Sequence, residues 1–212
     1  MLPQAAKNST HTVIYVASWK NVWYARGMTA VNFPYRIEIS ARHVHLSQAD
    51  FVTLFGADAT LEKVKDLSVN GEFKTNHTVT IVGPKRNLER VAVLGPWRDQ
   101  TQVEISLTDS YLLGVANVPC RLSGDLVGSA PVQLIGTQGT LSLPAGMIIA
   151  ARHIHVDPAT MRKYHLTHGQ AVEITTDGPR GVTFHNVIVR ESDVDTPIVH
   201  LDTDEGNAIT IK

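Results

Sequence analysis

Ala41-Arg42-His43-Val44-His45 and Ala151-Arg152-His153-Ile154-His155 are one phrase written twice. An apolar lead-in precedes each, Arg36-Ile37-Glu38-Ile39-Ser40 and Met147-Ile148-Ile149-Ala150. Such runs read as strands, in which residues i and i+2 share a face. His43 and His45 then project together, as do His153 and His155, with Val44 and Ile154 turned to the core. Two neutral imidazoles converging from one strand form half of a zinc site. A single His-x-His on a strand is more often surface or packing than ligand, so the weight rests on its recurrence.

The surroundings recur as well. In the first copy Ser47 reads as a helix N-cap with Asp50 three residues on, Leu46 and Phe51 as a hydrophobic staple, and Gly56 as a left-handed C-cap. In the second, Asp157 is the cap, Pro158 takes the first helical position and Gly169 is the stop. The repeated unit is strand, His-x-His, short helix.

With 212 residues the chain makes one large domain or two small ones. Its 43% hydrophobic and 18% charged residues are those of a globular protein, and a net charge of -1 gives no reason to expect a nucleic-acid or membrane surface. Ten histidines stand against one cysteine, Cys120, which excludes an intramolecular disulfide and a Cys-x-x-Cys ribbon. A metal must be held by histidine and carboxylate, which suits an open catalytic site. No apolar run approaches the roughly 20 residues of a membrane span. With no evident secretory signal, the expectation is a cytoplasmic protein.

Residues 1–33 lack any clear period and read as a poorly ordered N-terminal extension, with Val13–Val16 the one strand candidate and a docking peptide a further option. Beyond them short strands dominate. Asn70-Gly71 signals a hairpin, Thr78–Val82, Glu89–Leu94 and Thr101–Leu107 alternate, and the second half repeats the scheme through Gln170–Thr175, Asn186–Arg190 and Ile198–Asp202. The class is mainly β and internally duplicated, and a closed barrel is the economical way to remove edges. Setting Val91-Ala92-Val93 over Val187-Ile188-Val189 places Glu104 on His200, thirteen residues along in each copy. Two three-donor sets follow: His43, His45 and Glu104, and His153, His155 and His200. Each leaves a position open for water or substrate. Arg98, beyond Gly95-Pro96, is either a solvated loop charge or an anion clamp. No Walker loop, dinucleotide fingerprint or nucleophile elbow is present. The residues alone stop short of a substrate.

Ser40–Ser47, Val82-Gly-Pro-Lys85, Leu94–Ser106, Ala150–His155 and His200–Glu205 with Asn207 occur in an order that resembles the PduL-type phosphate propanoyltransferases, or phosphotransacylases. The resemblance runs from about residue 35 to the end. It implies an acyltransferase that moves a short acyl group, propanoyl, reversibly between coenzyme A and inorganic phosphate. It implies two zinc ions per chain, one on each donor set, with Arg98 catalytic and phosphate-binding beside the second. Ser40, Ala41, Lys85 and Asn207 match positions near coenzyme A, although position 41 is usually Asn in the family. The implied architecture is two β-barrels with short capping helices: a first strand over residues 34–41 pairing with the C-terminal barrel, a central barrel over 42–150, and the C-terminal barrel over 151–212. Partners implied are acyl-CoA, phosphate and a second copy of the chain in a homodimer or larger assembly. Some members lie within bacterial microcompartments and serve propanediol degradation, but the N-terminal segment lacks an amphipathic helical pattern. The expected mechanism is direct attack of phosphate on the thioester. The alternatives are a zinc-dependent thioester hydrolase and a non-catalytic, metal-stabilised β module.

Overall fold

A computed structural model describes residues 12–15 and 29–211. In chain order the elements are β1 (Thr12–Tyr15), β2 (Thr29–Asn32), β3 (Arg36–Ile39), β4 (His43–His45), α1 (Gln48–Phe55), β5 (Lys63–Asp66), β6 (Phe73–Val82), β7 (Leu88–Gly95), β8 (Gln102–Ile105), α2 (Leu107–Leu113), β9 (Cys120–Arg121), β10 (Ala130–Ile135) and β11 (Thr140–Ala150). Then follow β12 (His153–Val156), α3 (Pro158–Tyr164), β13 (Ala171–Thr175), β14 (Thr183–Glu191), β15 (Ile198–Leu201) and α4 (Thr203–Ala208). Strand makes up 41% and helix 16%, so the class is mainly β.

Six strands close a barrel in the order β10-β11-β8-β4-β7-β6, with β6 returning to β10. Closure removes the edges that short strands would otherwise expose. The second sheet runs β2-β1-β13-β14-β12-β15-β3, and among the described residues no pairing joins its ends. Of the two barrels implied by the resemblance, the first is a complete ring, and in place of the second β12–β15 join β1–β3 in this seven-stranded sheet. β1 and β2 add to it in parallel, β1 on β13 and β2 on β1. The remainder of the segment read as a loose extension lies outside the described residues.

The two halves repeat in register. In the barrel β4 lies between β7 and β8, with His43 opposite Ala92 and Glu104. In the second sheet β12 lies between β14 and β15, with His153 opposite Ile188 and His200. Val44, Val93 and Val103 are wholly buried in one core, and Ile154, Val189 and Val199 in the other. The alternation thus sends the branched residues inward and the histidines to the opposite face.

Local chemistry explains the helices. Ser47 accepts the Asp50 amide at the start of α1, and Thr101 completes the cap by accepting the Ser47 amide and donating to the Asp50 carboxylate. Gly56 has φ 93° with an extended ψ of 161°, so the α1 stop is not the left-handed cap that the sequence predicts. Asp157 caps α3 by accepting from Ala159 and Thr160 amides, with Pro158 at its start. That helix ends at His165, in the left-handed region at φ 55°, four residues before the predicted stop at Gly169.

The chain crosses between sheets twice, from β3 in the second sheet to β4 in the barrel, and from β11 in the barrel to β12 in the second sheet. Each crossover ends at a His-x-His. That topology brings both histidine pairs to the junction of barrel and sheet.

Candidate active site

In the barrel half, strand register carries Glu104 beside the first pair: its Oε1 lies 3.4 Å from His43 Nε2 and 4.0 Å from His45 Nε2. All three residues are buried. In the other half, His153 Nε2 and His155 Nε2 are 3.1 Å apart, and the His200 ring stands 5.1 and 4.8 Å from theirs, centroid to centroid. Within each set, one donor atom per residue lies within 4.8 Å of the others.

Second contacts orient the rings. His43 Nδ1 bonds the Ala41 carbonyl at 2.8 Å and His153 Nδ1 bonds the Ala151 carbonyl at 3.0 Å. A carbonyl only accepts, so each Nδ1 carries hydrogen and, in the neutral ring, each Nε2 turns a lone pair toward its set. Ser192 Oγ lies 2.6 Å from His155 Nδ1. The Gln102 amide donates to Glu104 Oε1 and to Ser123 Oγ.

The halves differ electrically. Burial pushes His153 down to about 4, helped by His200, and pushes His155 down to about 2, helped by His153 and His200. Burial also lowers His200, against the pull of Glu38. The second set is therefore three neutral imidazoles near neutral pH. In the first set, burial and His43 press His45 down to about 3. Burial works on His43 in the same sense, but the Glu104 carboxylate overrides it and its pKa is raised. Glu104, which burial alone would raise, is held well below the usual carboxylate range by His43. His43 and Glu104 thus favour each other's charged forms inside a buried site.

One cavity of about 330 Å³ joins the halves. All six donors line it, with Ser40, Ala41 and Arg98. Lys85 and Asn207 are exposed and stand outside that lining. Cys120 is also outside it.

Several lining groups escape sequence reasoning: Arg190, Glu38, Glu72, Ser123 and Ser192. Burial lowers the Arg190 pKa while the Glu104 and Glu72 carboxylates oppose it. Glu38 faces His200 in register across β3 and β15, its Oε2 3.8 Å from His200 Nε2. Only Glu38 had a usable signal, standing two residues ahead of Ser40 in the repeated lead-in.

The repeated Ala-Arg acquires a role too, with Arg42 at the cavity wall and Arg152 outside it. Arg42 holds Asp109 of α2 through two contacts of 3.0 and 2.9 Å, and Arg152 holds Glu205 of α4 at 2.6 Å. Asp109 and Glu205 are the third helical residues of capping boxes on Ser106 and Asp202.

Comparison with known proteins adds an independent line. A model of the phosphate propanoyltransferase family matches residues 36–212. A phosphate propanoyltransferase of Priestia megaterium is 48% identical over 170 residues, covering 80% of this chain and 78% of its own. One from Clostridioides difficile is 44% identical over 172 residues, covering 81% and 82%. One from Rhodopseudomonas palustris is 40% identical over 180 residues, covering 85% and 79%.

Proposed function

The chain belongs to the phosphate propanoyltransferase family and is a phosphate acyltransferase, and from that premise we propose that it moves a propanoyl group reversibly between coenzyme A and inorganic phosphate at a two-zinc centre. One observation carries the proposal: both donor sets and two arginines, Arg98 and Arg190, line a single cavity.

The residues fit the metal. His153 turns a lone pair toward His155 Nε2 at 3.1 Å, and one ring nitrogen from each of His153, His155 and His200 lies close enough to the others to share one cation. His43, His45 and Glu104 would hold one ion, and His153, His155 and His200 the other. Bound there, zinc supplies positive charge toward the developing oxyanion and a soft acceptor for the departing sulfur.

The chain's own groups do the rest. Arg98 and Arg190 orient phosphate in the cavity, with guanidinium forks that match its oxygens. A phosphate oxygen forms the bond to the thioester carbonyl carbon, the carbon–sulfur bond breaks, and coenzyme A leaves as thiolate. Holding both reactants in one cavity supplies much of the rate. Ser40 and Ala41 contact coenzyme A inside the cavity, and Lys85 and Asn207, exposed beyond its lining, meet the distal end of that long substrate. No protein nucleophile is needed, and burial raises the Cys120 thiol pKa, away from the reactive thiolate. Cys120→Ala is expected to keep turnover within about three-fold of the parent, and abolished activity would contradict direct attack.

Among the described residues no helix is long and apolar enough to cross a membrane. A homodimer or larger assembly, in the cytoplasm or a bacterial microcompartment, accompanies the family reading, and light scattering on the purified chain tests the first part.

The deciding experiment follows propanoyl-CoA with and without phosphate. Phosphate-dependent release of coenzyme A with acyl phosphate formed supports the transferase. Phosphate-independent loss means a hydrolase, and no turnover with metal bound means a structural module.

A further inference from the structure

The β5–β6 hairpin turn forms one wall of the cavity through Leu67, Ser68, Val69 and Glu72. Its geometry is tight. The Glu72 amide donates to the Val69 carbonyl at 3.1 Å, and the Leu67 amide donates to the Glu72 carbonyl at 3.0 Å. Gly71 takes φ 86°, a conformation that suits glycine. Ser68 Oγ donates to Glu38 at 2.7 Å, which ties the turn to β3. The Glu72 side chain is thus presented from a fixed backbone.

Its carboxylate accepts from Arg98 Nη2 at 3.0 Å. The Arg98 Nε is buried and has no hydrogen-bond partner among the described residues. Nε and Nη2 form one edge of the guanidinium, the edge that grips two oxygens of a planar or tetrahedral oxyanion. Glu72 therefore occupies half of that edge with one oxygen and leaves the other half unsatisfied. A phosphate that takes both donors must displace the Glu72 carboxylate from Nη2. It must also approach that negative charge, which acts on Arg190 as well as on Arg98.

We propose that Glu72 is an internal competitor of phosphate: it holds the Arg98 fork in the ligand-free protein and sets how weakly inorganic phosphate binds. The inference rests on the assignment of Arg98 to phosphate made above. Weak ground-state binding has a catalytic use, because tight binding of phosphate before reaction would deepen the well from which the transition state must be reached.

The sign of one substitution separates this role from simple support. Glu72→Gln keeps an acceptor for Arg98 but removes the charge. If Glu72 competes, inorganic phosphate titrated calorimetrically into metal-loaded E72Q binds tighter by about three-fold or more. The phosphate KM falls with it, further than kcat changes, and Glu72→Ala moves binding in the same direction. If Glu72 only holds Arg98 in place, E72Q and E72A bind phosphate equally or more weakly, and the proposal is overturned. Arg98→Gln distinguishes the two failures. Should R98Q bind phosphate as the parent does, the Arg98 assignment itself falls. Should R98Q bind more weakly while E72Q gains nothing, only the role of Glu72 falls.

Discussion

Gln102 shows how much of the site rests on groups that touch no substrate. Its amide nitrogen donates to Glu104 and to Ser123, and its carbonyl accepts the Gly124 amide at 2.7 Å. It therefore fixes the rotamer of the Glu104 carboxylate, proposed above as a metal ligand, and pins a loop beside the cavity. Removing such an outer partner costs about ten-fold or more in metal affinity, so Gln102→Leu should show that loss in a chelator competition. An unchanged affinity would deny the positioning role. The neutral second set has a consequence for stability. His153 titrates at about 4 in the fold against an ordinary histidine value of 6.5, with His155 and His200 also lowered. Groups lowered in this way bind fewer protons folded than unfolded, so stability rises with pH in that window. The chelated, metal-free chain should therefore lose urea resistance as pH falls from about 6.5 toward 4. A midpoint that holds or rises across that interval would contradict the neutral assignment.

At the scale of elements, the capped helices repay comparison with the sequence. Ser47 and Asp157 announce α1 and α3 because cap residues beside an apolar staple are strong local signals. The signals for α2 and α4, Ser106 with Asp109 and Asp202 with Glu205, stood equally in view. They pass unread because helices of seven and six residues carry almost no periodicity, and the strands before them run straight into the caps. The same helices explain the repeated arginine. Asp109 is nearly inaccessible, with 2% of its side chain exposed, whereas 39% of Arg42 is exposed. Truncating Arg42 leaves that carboxylate with only its cap contacts, and the arginine's exposure moderates the cost. Arg42→Ala should lower stability by about 2 kcal/mol in chemical denaturation. A change under about 0.5 kcal/mol would mean that the tie contributes nothing.

Across the whole molecule, the duplication governs what could be foreseen. Period-two alternation gives the strands of each half, and ungapped alignment of Val91–Val93 with Val187–Val189 brings Glu104 and His200 to matching registers opposite His43 and His153. The cavity's remaining walls have no such signal. Arg190 stands at the position equivalent to Leu94, so the repeat itself gives no warning of it. Glu38 and Glu72 arrive from segments separated by more than thirty residues of chain, brought together by the crossover from β3 to β4. Closure is likewise a long-range property: β6 pairs with β10 to complete one ring, while the other sheet ends at β2 and β3. Two equivalent donor sets face one cavity, and the proposed chemistry needs both. Metal content by mass spectrometry, compared among the parent, Glu104→Ala and His200→Ala, tests this most directly. About two zinc ions per parent chain and about one in each variant are predicted. A parent that retains less than one ion, or a variant that keeps the full complement, would contradict it.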